Sequence, residues 1–366
     1  MELKKSFRGF INPKFDASLI SAILILSFLG LLNLAGIAGI NSLFFKKQSI
    51  FLAVGIFILF LNPVFNYRIF KNYSLPSVFF FSISIFLLLF TLQAAPIRGV
   101  AAWLHLPFGI SFETSEIVKL AMILFLARYL SSRNRFNHFL TFLISGIYVF
   151  MVVFLVFLQP DFGSSVILFL IWLGGIFLFS LTKKQILIAV NLFIIISLII
   201  SVFILQPYQR SRITSFLAGL FGYGRESYNV LQSKIAIGSG GFWGLGFGNG
   251  QQAKFGVLPE ATSDFALAAL VEQFGFVSLA AILFLYFIIL NRLLFISSTA
   301  QDNFSKFFTA MFLVYFFSHV VINMGMNLGL LPVTGLPLPF ISYGGSYFIS
   351  LMAGFSILEN IRKRTG

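Results

Sequence analysis

Long apolar runs, broken by short polar or Pro- and Gly-bearing stretches, pattern this chain from end to end. Ten runs approach the ~20 residues that a bilayer-crossing helix needs. They are 17–38, 48–62, 76–94, 114–130, 139–158, 163–181, 185–205, 265–290, 304–326 and 340–360. The second ends early at Asn62-Pro63, and the fourth opens on charged residues. The pattern predicts an all-α polytopic membrane protein of about ten transmembrane helices. No internal repeat or second domain is visible, so 1–366 reads as one membrane domain. The long polar stretch at about 206–264 predicts one long extracytoplasmic loop between helices 7 and 8. Connections of that length usually carry function.

Composition narrows the class. Of 366 residues 58% are hydrophobic and only 10% charged, more apolar surface than a soluble domain can hide. No Cys is present, which excludes disulfide and Fe–S chemistry. The three His residues, His105, His138 and His319, have no zinc-ligand spacing. The net charge of +14 fits cationic loops against anionic lipid head groups. No nucleic-acid partner is expected, because no basic face outside the bilayer carries interleaved aromatics. Lys4, Lys5, Arg8 and Lys14 precede the first run without a small-residue cleavage site, so the first helix is expected to stay as an anchor. Basic residues gather in cytoplasmic loops, and with ten spans that rule places both termini in the cytoplasm. Glu113, Glu116, Asp161, Glu226, Glu260, Asp264 and Glu272 then fall on the outer side, while Glu2, Asp16, Asp302 and Glu359 fall inside.

A carboxylate beside hydrocarbon is costly and therefore a functional candidate. Asp264, in Gly256-Val-Leu-Pro-Glu-Ala-Thr-Ser-Asp264-Phe at the mouth of an apolar helix, is the foremost. Glu116 and Lys119 are three apart on one predicted helix face. They either neutralise each other or line a polar cavity opening outward, and the second reading is favoured. Asp161, in Gln159-Pro-Asp-Phe-Gly163, is read first as a helix cap and second as a substrate contact. Arg210, Arg212 and Lys234 read as lipid contacts or as a clamp for a phosphate-bearing ligand. The Gly-rich run 238–250 has no phosphate-loop signature and no surrounding βαβ unit, so it reads as a close-packing loop. Residues 323–346 carry no charge and several Pro and Gly, and such irregular backbone must line a cavity or be covered by protein.

Together these stretches resemble the SEDS family (shape, elongation, division and sporulation). The resemblance rests on Phe112-Glu-Thr-Ser-Glu116-Ile-Val-Lys119, Gln159-Pro-Asp-Phe-Gly163, Tyr228-Asn-Val-Leu-Gln-Ser-Lys234, Leu258-Pro-Glu260-Ala-Thr-Ser-Asp264 and the Gly329–Gly345 stretch. The Tyr228–Lys234 segment and Asn12-Pro-Lys-Phe-Asp16 look more like the RodA branch than the FtsW branch.

The resemblance implies a peptidoglycan glycosyltransferase of the bacterial cytoplasmic membrane, acting on its extracytoplasmic face. Such an enzyme polymerises lipid II into β-1,4 glycan for elongation and rod shape and releases undecaprenyl pyrophosphate. FtsW-like septal synthesis in cell division is the close alternative, and a lipid II flippase the rival class. A class B penicillin-binding protein, other elongation or division machinery and membrane lipids are the implied partners. Asp264 matches the family's essential aspartate. Glu116, Lys119, Asp161, Arg210, Arg212, Lys234 and Glu260 are the expected substrate-binding residues. A divalent cation, Mg²⁺ or Mn²⁺, is an optional aid rather than an established cofactor. The chain departs from the family pattern at Glu113-Thr114, usually Gln-Pro, and at Ala102, Thr262 and Gln273.

Overall fold

The computed structural model describes residues 15–61, 66–94, 100–106, 110–132, 138–179, 211, 214–219 and 227–365, with short pieces between 184 and 195. The predicted first run is helix α1, Ala17–Ala38, started by Asp16, whose carboxylate accepts from the Leu19 N–H. Helix α2, Leu43–Phe60, begins five residues before its predicted run, because Ser42 caps it. Lys46 and Lys47 therefore sit on a helix and not in a loop. A short α3, Arg68–Asn72, leads into α4, Ser74–Thr91. Then come α5, Thr114–Ser131, α6, His138–Leu158, and α7, Phe162–Leu178. The seventh predicted run, 185–205, lies mostly outside the described residues.

Two features depart from a simple bundle. Strands β1, Trp103–Leu106, and β2, Ile110–Glu113, form an antiparallel hairpin with Trp103 opposite Glu113. Part of the long predicted loop is helical, as α8, Tyr228–Ser239, and α9, Gln251–Lys254. The chain ends with α10, Ala266–Thr299, α11, Asn303–Asn327, and α12, Gly345–Thr365. The last helix starts five residues later than its run, because Pro337 and Pro339 remove backbone donors before it. Six of the described helices are long and apolar enough to cross a membrane.

Helix α10 packs on α1 and α11, α11 on α5 and α7, α12 on α2, and α4 on α5. Aromatic rings fill the centre. Phe304, Phe308 and Phe312 stack one turn apart along α11, and Phe355 of α12 meets Phe312 edge-on at 5.1 Å. Polar groups separate to the two ends of the bundle. At one end Arg292 of α10 pairs with Asp16 before α1, Lys71 of α3 with Asp302 before α11, and Arg362 with Glu359 within α12, where Glu359 also accepts from Asp16 N–H. Glu113, Glu116, Asp161 and Asp264 lie toward the other end, at or near helix N-termini.

The predicted eighth run is not one continuous helix. Gly275 has φ 73° and ψ −173°, which breaks α10. The Gly-rich loop repairs the break bond for bond. Phe276 N–H donates to the Gly241 carbonyl and Val277 N–H to that of Phe242, while the carbonyls of Glu272 and Gln273 accept from Leu245 and Gly246. Four of the backbone groups that lose their helical partners at the break are thus satisfied. The side chains help: Glu272 accepts from the N–H groups of Gln252 and Ala253 at the start of α9, and Gln273 accepts from Gly248 N–H. A Cβ at Gly275 would stand 2.3 Å from the Phe242 carbonyl oxygen, on a left-handed backbone. Gly275→Ala is therefore expected to destabilise the protein by about 3 kcal/mol or more. A melting curve in detergent checks this, and an unchanged midpoint would show that the loop does not seat in the break.

Candidate active site

Asp264 is placed by its backbone. Its carbonyl accepts from the side-chain amides of Asn323 and Asn327, one turn apart on α11, each at 3.0 Å. Both Asn residues are fully buried. Asn323 also donates to Leu336 O at 2.7 Å, and Asn327 Oδ1 accepts from Ala268 N–H at 3.2 Å. The strand-like segment 332–344 is stitched alongside: Tyr343 N–H donates to Thr262 O at 2.8 Å, and Ser342 Oγ donates to Ser263 O. Gly335 lies beside the carboxylate, and its φ of 76° rather than space favours glycine, since a Cβ there would sit at ordinary contact distance, 3.7 Å, from Asp264 Oδ2.

These segments and the β-hairpin enclose a cavity of about 250 Å³. Its walls carry Asp264, Thr262 and Ser263 from one side, Tyr343, Ser346 and Tyr347 from the next, Trp103, Ser111 and Glu113 from the hairpin, and Lys47 from α2. Glu113 N–H donates to Ser346 Oγ at 2.9 Å, and Glu113 Oε1 accepts from Ser115 Oγ at 2.8 Å. Burial, then the charges of Glu116 and Asp161, push the Glu113 carboxyl up to about 8, against a smaller opposing pull from Lys119 and Ser115.

Glu116 and Lys119 do meet, at 2.6 Å, but they do not line this cavity. Both are buried, and Tyr315 OH donates to Glu116 Oε2 at 3.4 Å. The expected outward-opening cavity thus belongs to Glu113, three residues earlier, which lies before the helix begins. Asp161 caps α7, accepting from Ser164 N–H at 3.0 Å. Its Oδ2 is buried without a hydrogen-bond partner among the described residues. Glu260 has φ 52° and accepts from Ser263 Oγ at 3.0 Å, shaping the turn before Asp264 rather than the cavity wall. Lys234 lines a separate cavity of about 210 Å³, with Ser215, Ser227 and Val333. Arg210 and Arg212 lie outside the described residues. Among the described residues no three His, Asp or Glu gather as a metal site.

Asp161→Ala is expected to cost about 1 kcal/mol through the lost cap, whereas Asp161→Asn keeps the cap and the midpoint. Thermal melts of the two variants decide it; equal losses would assign Asp161 another role.

The family model for the FtsW/RodA/SpoVE cell cycle protein matches residues 15–366. This chain belongs to that family. The peptidoglycan glycosyltransferase MrdB of Escherichia coli K12 is 38% identical over 264 residues, covering 72% of this chain and 71% of the relative. The probable peptidoglycan glycosyltransferase FtsW of Trichlorobacter lovleyi is 31% identical over 323 residues, covering 87% of this chain and 83% of the relative. Among solved structures, a chain from a study of how a peptidoglycan synthase complex coordinates polymerisation and crosslinking aligns with TM-score 0.79 at 26% identity. It covers 96% of this chain and 98% of its own length. The Thermus thermophilus rod shape determining protein RodA aligns with TM-score 0.69 at 25% identity, over 97% of this chain and 98% of its own. Among FtsW/RodA proteins this chain thus has relatives named for both branches.

The sequence drew attention to the carboxylates but passed over the groups that hold them. Asn323 and Asn327 carried a signal: two amides spaced by four on an apolar helix must find partners. Lys47 and Glu113 carried none stronger than their charge.

Proposed function

We propose that this chain is a peptidoglycan glycosyltransferase that polymerises lipid II into β-1,4 glycan on the extracytoplasmic face of the bacterial cytoplasmic membrane. The observation that carries this reading is the Asp264 carboxylate on the wall of a cavity that also offers a lysine and several hydroxyls. The relatives named peptidoglycan glycosyltransferase support it.

Lipid II holds its disaccharide through an α-linked diphosphate, so a β-linked product requires inversion in one displacement. Asp264 accepts the proton of the acceptor's GlcNAc 4-hydroxyl as that oxygen bonds to the MurNAc anomeric carbon. The bond from that carbon to the diphosphate oxygen breaks, and undecaprenyl pyrophosphate leaves. Lys47 is the described cation on the cavity wall and steadies the diphosphate. The buried Glu116–Lys119 pair acts from behind the wall, through the fold and the local field. A Mg²⁺ or Mn²⁺ ion fits only in company with substrate phosphates, which supply most of its ligands when a site offers one or two carboxylates.

Elongation is the role we favour over division, on the 38% identity to MrdB and the Tyr228–Lys234 segment. A class B penicillin-binding protein is the proposed partner, with other elongation or division machinery around it. The excess of basic residues in the loops of one side supports a cytoplasmic location for both termini. A flippase needs a polar route between the two ends. Here the stacked phenylalanines of α11 and α12 fill the middle.

The test is lipid II polymerisation by the purified protein, alone and with its penicillin-binding partner, read as glycan strands on a gel. Strands support the proposal. None under either condition, with lipid II crossing in proteoliposomes, would replace the enzyme with a flippase.

A further inference from the structure

The cavity holds two carboxyl groups, and the reaction just proposed uses one. Glu113 is held at both levels: its N–H by Ser346 Oγ and its Oε1 by Ser115 Oγ, which itself accepts from Ser164 Oγ at 3.4 Å. Among the described residues it makes no ion pair, and no protein donor reaches its Oε2. Its place at the end of β2, opposite Trp103, points it to the same space as Asp264 and Lys47. Two ionised carboxylates around an anionic diphosphate would repel it and each other. One of them has to stay neutral if the other is to serve as base, and different surroundings divide such roles.

We propose that Glu113 is a substrate-binding residue of this cavity, donating a hydrogen bond from its carboxylic acid to a phosphate oxygen of the lipid-linked diphosphate. The assignment rests on the glycosyltransferase reading above. Burial and the neighbouring carboxylates of Glu116 and Asp161 raise the Glu113 carboxyl to about 8, which favours the protonated, donating form near neutral pH. The charged and titratable groups around it are Lys47 on α2, Glu116 and Lys119 on α5, Asp161 at the start of α7, Asp264, and Tyr343 and Tyr347 beside the start of α12. Above that pH the group ionises, the donor is lost, and a like charge faces the phosphate.

The experiment compares wild type, Glu113→Gln and Glu113→Ala in lipid II polymerisation from about pH 6 to about pH 9.5, with KM and kcat separated. Glu113→Ala is expected to raise KM about tenfold or more, the loss of one hydrogen bond to a charged acceptor. Glu113→Gln is expected to recover most of that loss and to abolish the alkaline rise in KM expected of wild type. A wild-type KM in the alanine variant would overturn the assignment. So would a glutamine variant as defective as alanine, or one that keeps the alkaline rise.

A second arm stands apart from polymerisation. Farnesyl diphosphate is titrated against Trp103 fluorescence in a variant whose Trp172 and Trp243 are replaced by Phe. Weaker binding on adding Glu113→Ala than on adding Glu113→Gln supports the proposal; equal binding overturns it. If wild type makes no polymer, the enzymatic reading fails, and this arm still decides on Glu113.

Discussion

Asp264→Asn loses lipid II polymerisation, with kcat lower by about a hundredfold to ten-thousandfold, the usual contribution of a positioned general base. The substitution is nearly isosteric. The backbone carbonyl of this residue stays held by Asn323 and Asn327. The melting midpoint is therefore expected to stay close to wild type, and KM to change less than kcat. Gel analysis of glycan strands, with a melting curve on the same preparation, checks both halves. Polymerisation within a few-fold of wild type would remove Asp264 as the base. Loss of activity together with a collapsed midpoint would show a structural role that the hydrogen bonds do not suggest.

The second large effect is on stability. Glu116 and Lys119 are both buried and pair at 2.6 Å. Removing one leaves the other desolvated and without its counter-charge, at a cost of about 3–5 kcal/mol. Glu116→Ala and Lys119→Ala are thus expected to express poorly or melt far below wild type. Replacing both at once, as Glu116→Gln with Lys119→Met, removes the charges together and is expected to recover most of the loss. Thermal melts of the two singles and the double form the cycle. Additive losses would mean that the pair is not coupled in the way its geometry indicates.

The helices were legible because apolar runs near bilayer length leave few alternatives. The runs at 17–38 and 304–326 reappear as α1 and α11 almost residue for residue. The start of α2 was missed because the apolar run begins only at 48, after Lys46 and Lys47, whereas Ser42 caps a helix that carries both. The break at Gly275 was hidden because its cause lies some thirty residues upstream, in carbonyls and N–H groups that carry no sequence signal. Asp264 was legible from charge alone. The cavity was not, since its walls come from stretches more than 200 residues apart, and only tertiary packing brings Glu113 to Ser346. The same distance explains why Glu116 and Lys119 were expected on the wall: spacing gives their shared helical face but not what covers it.

At about 250 Å³ the cavity is smaller than the roughly 300–1,000 Å³ that encloses an ordinary small ligand. Two lipid-linked saccharides cannot both be housed in it. The cavity has room for the linkage being made, so the growing strand is expected to lie outside it. How long a strand becomes is then a contest of rates, between the next addition and the escape of the growing end.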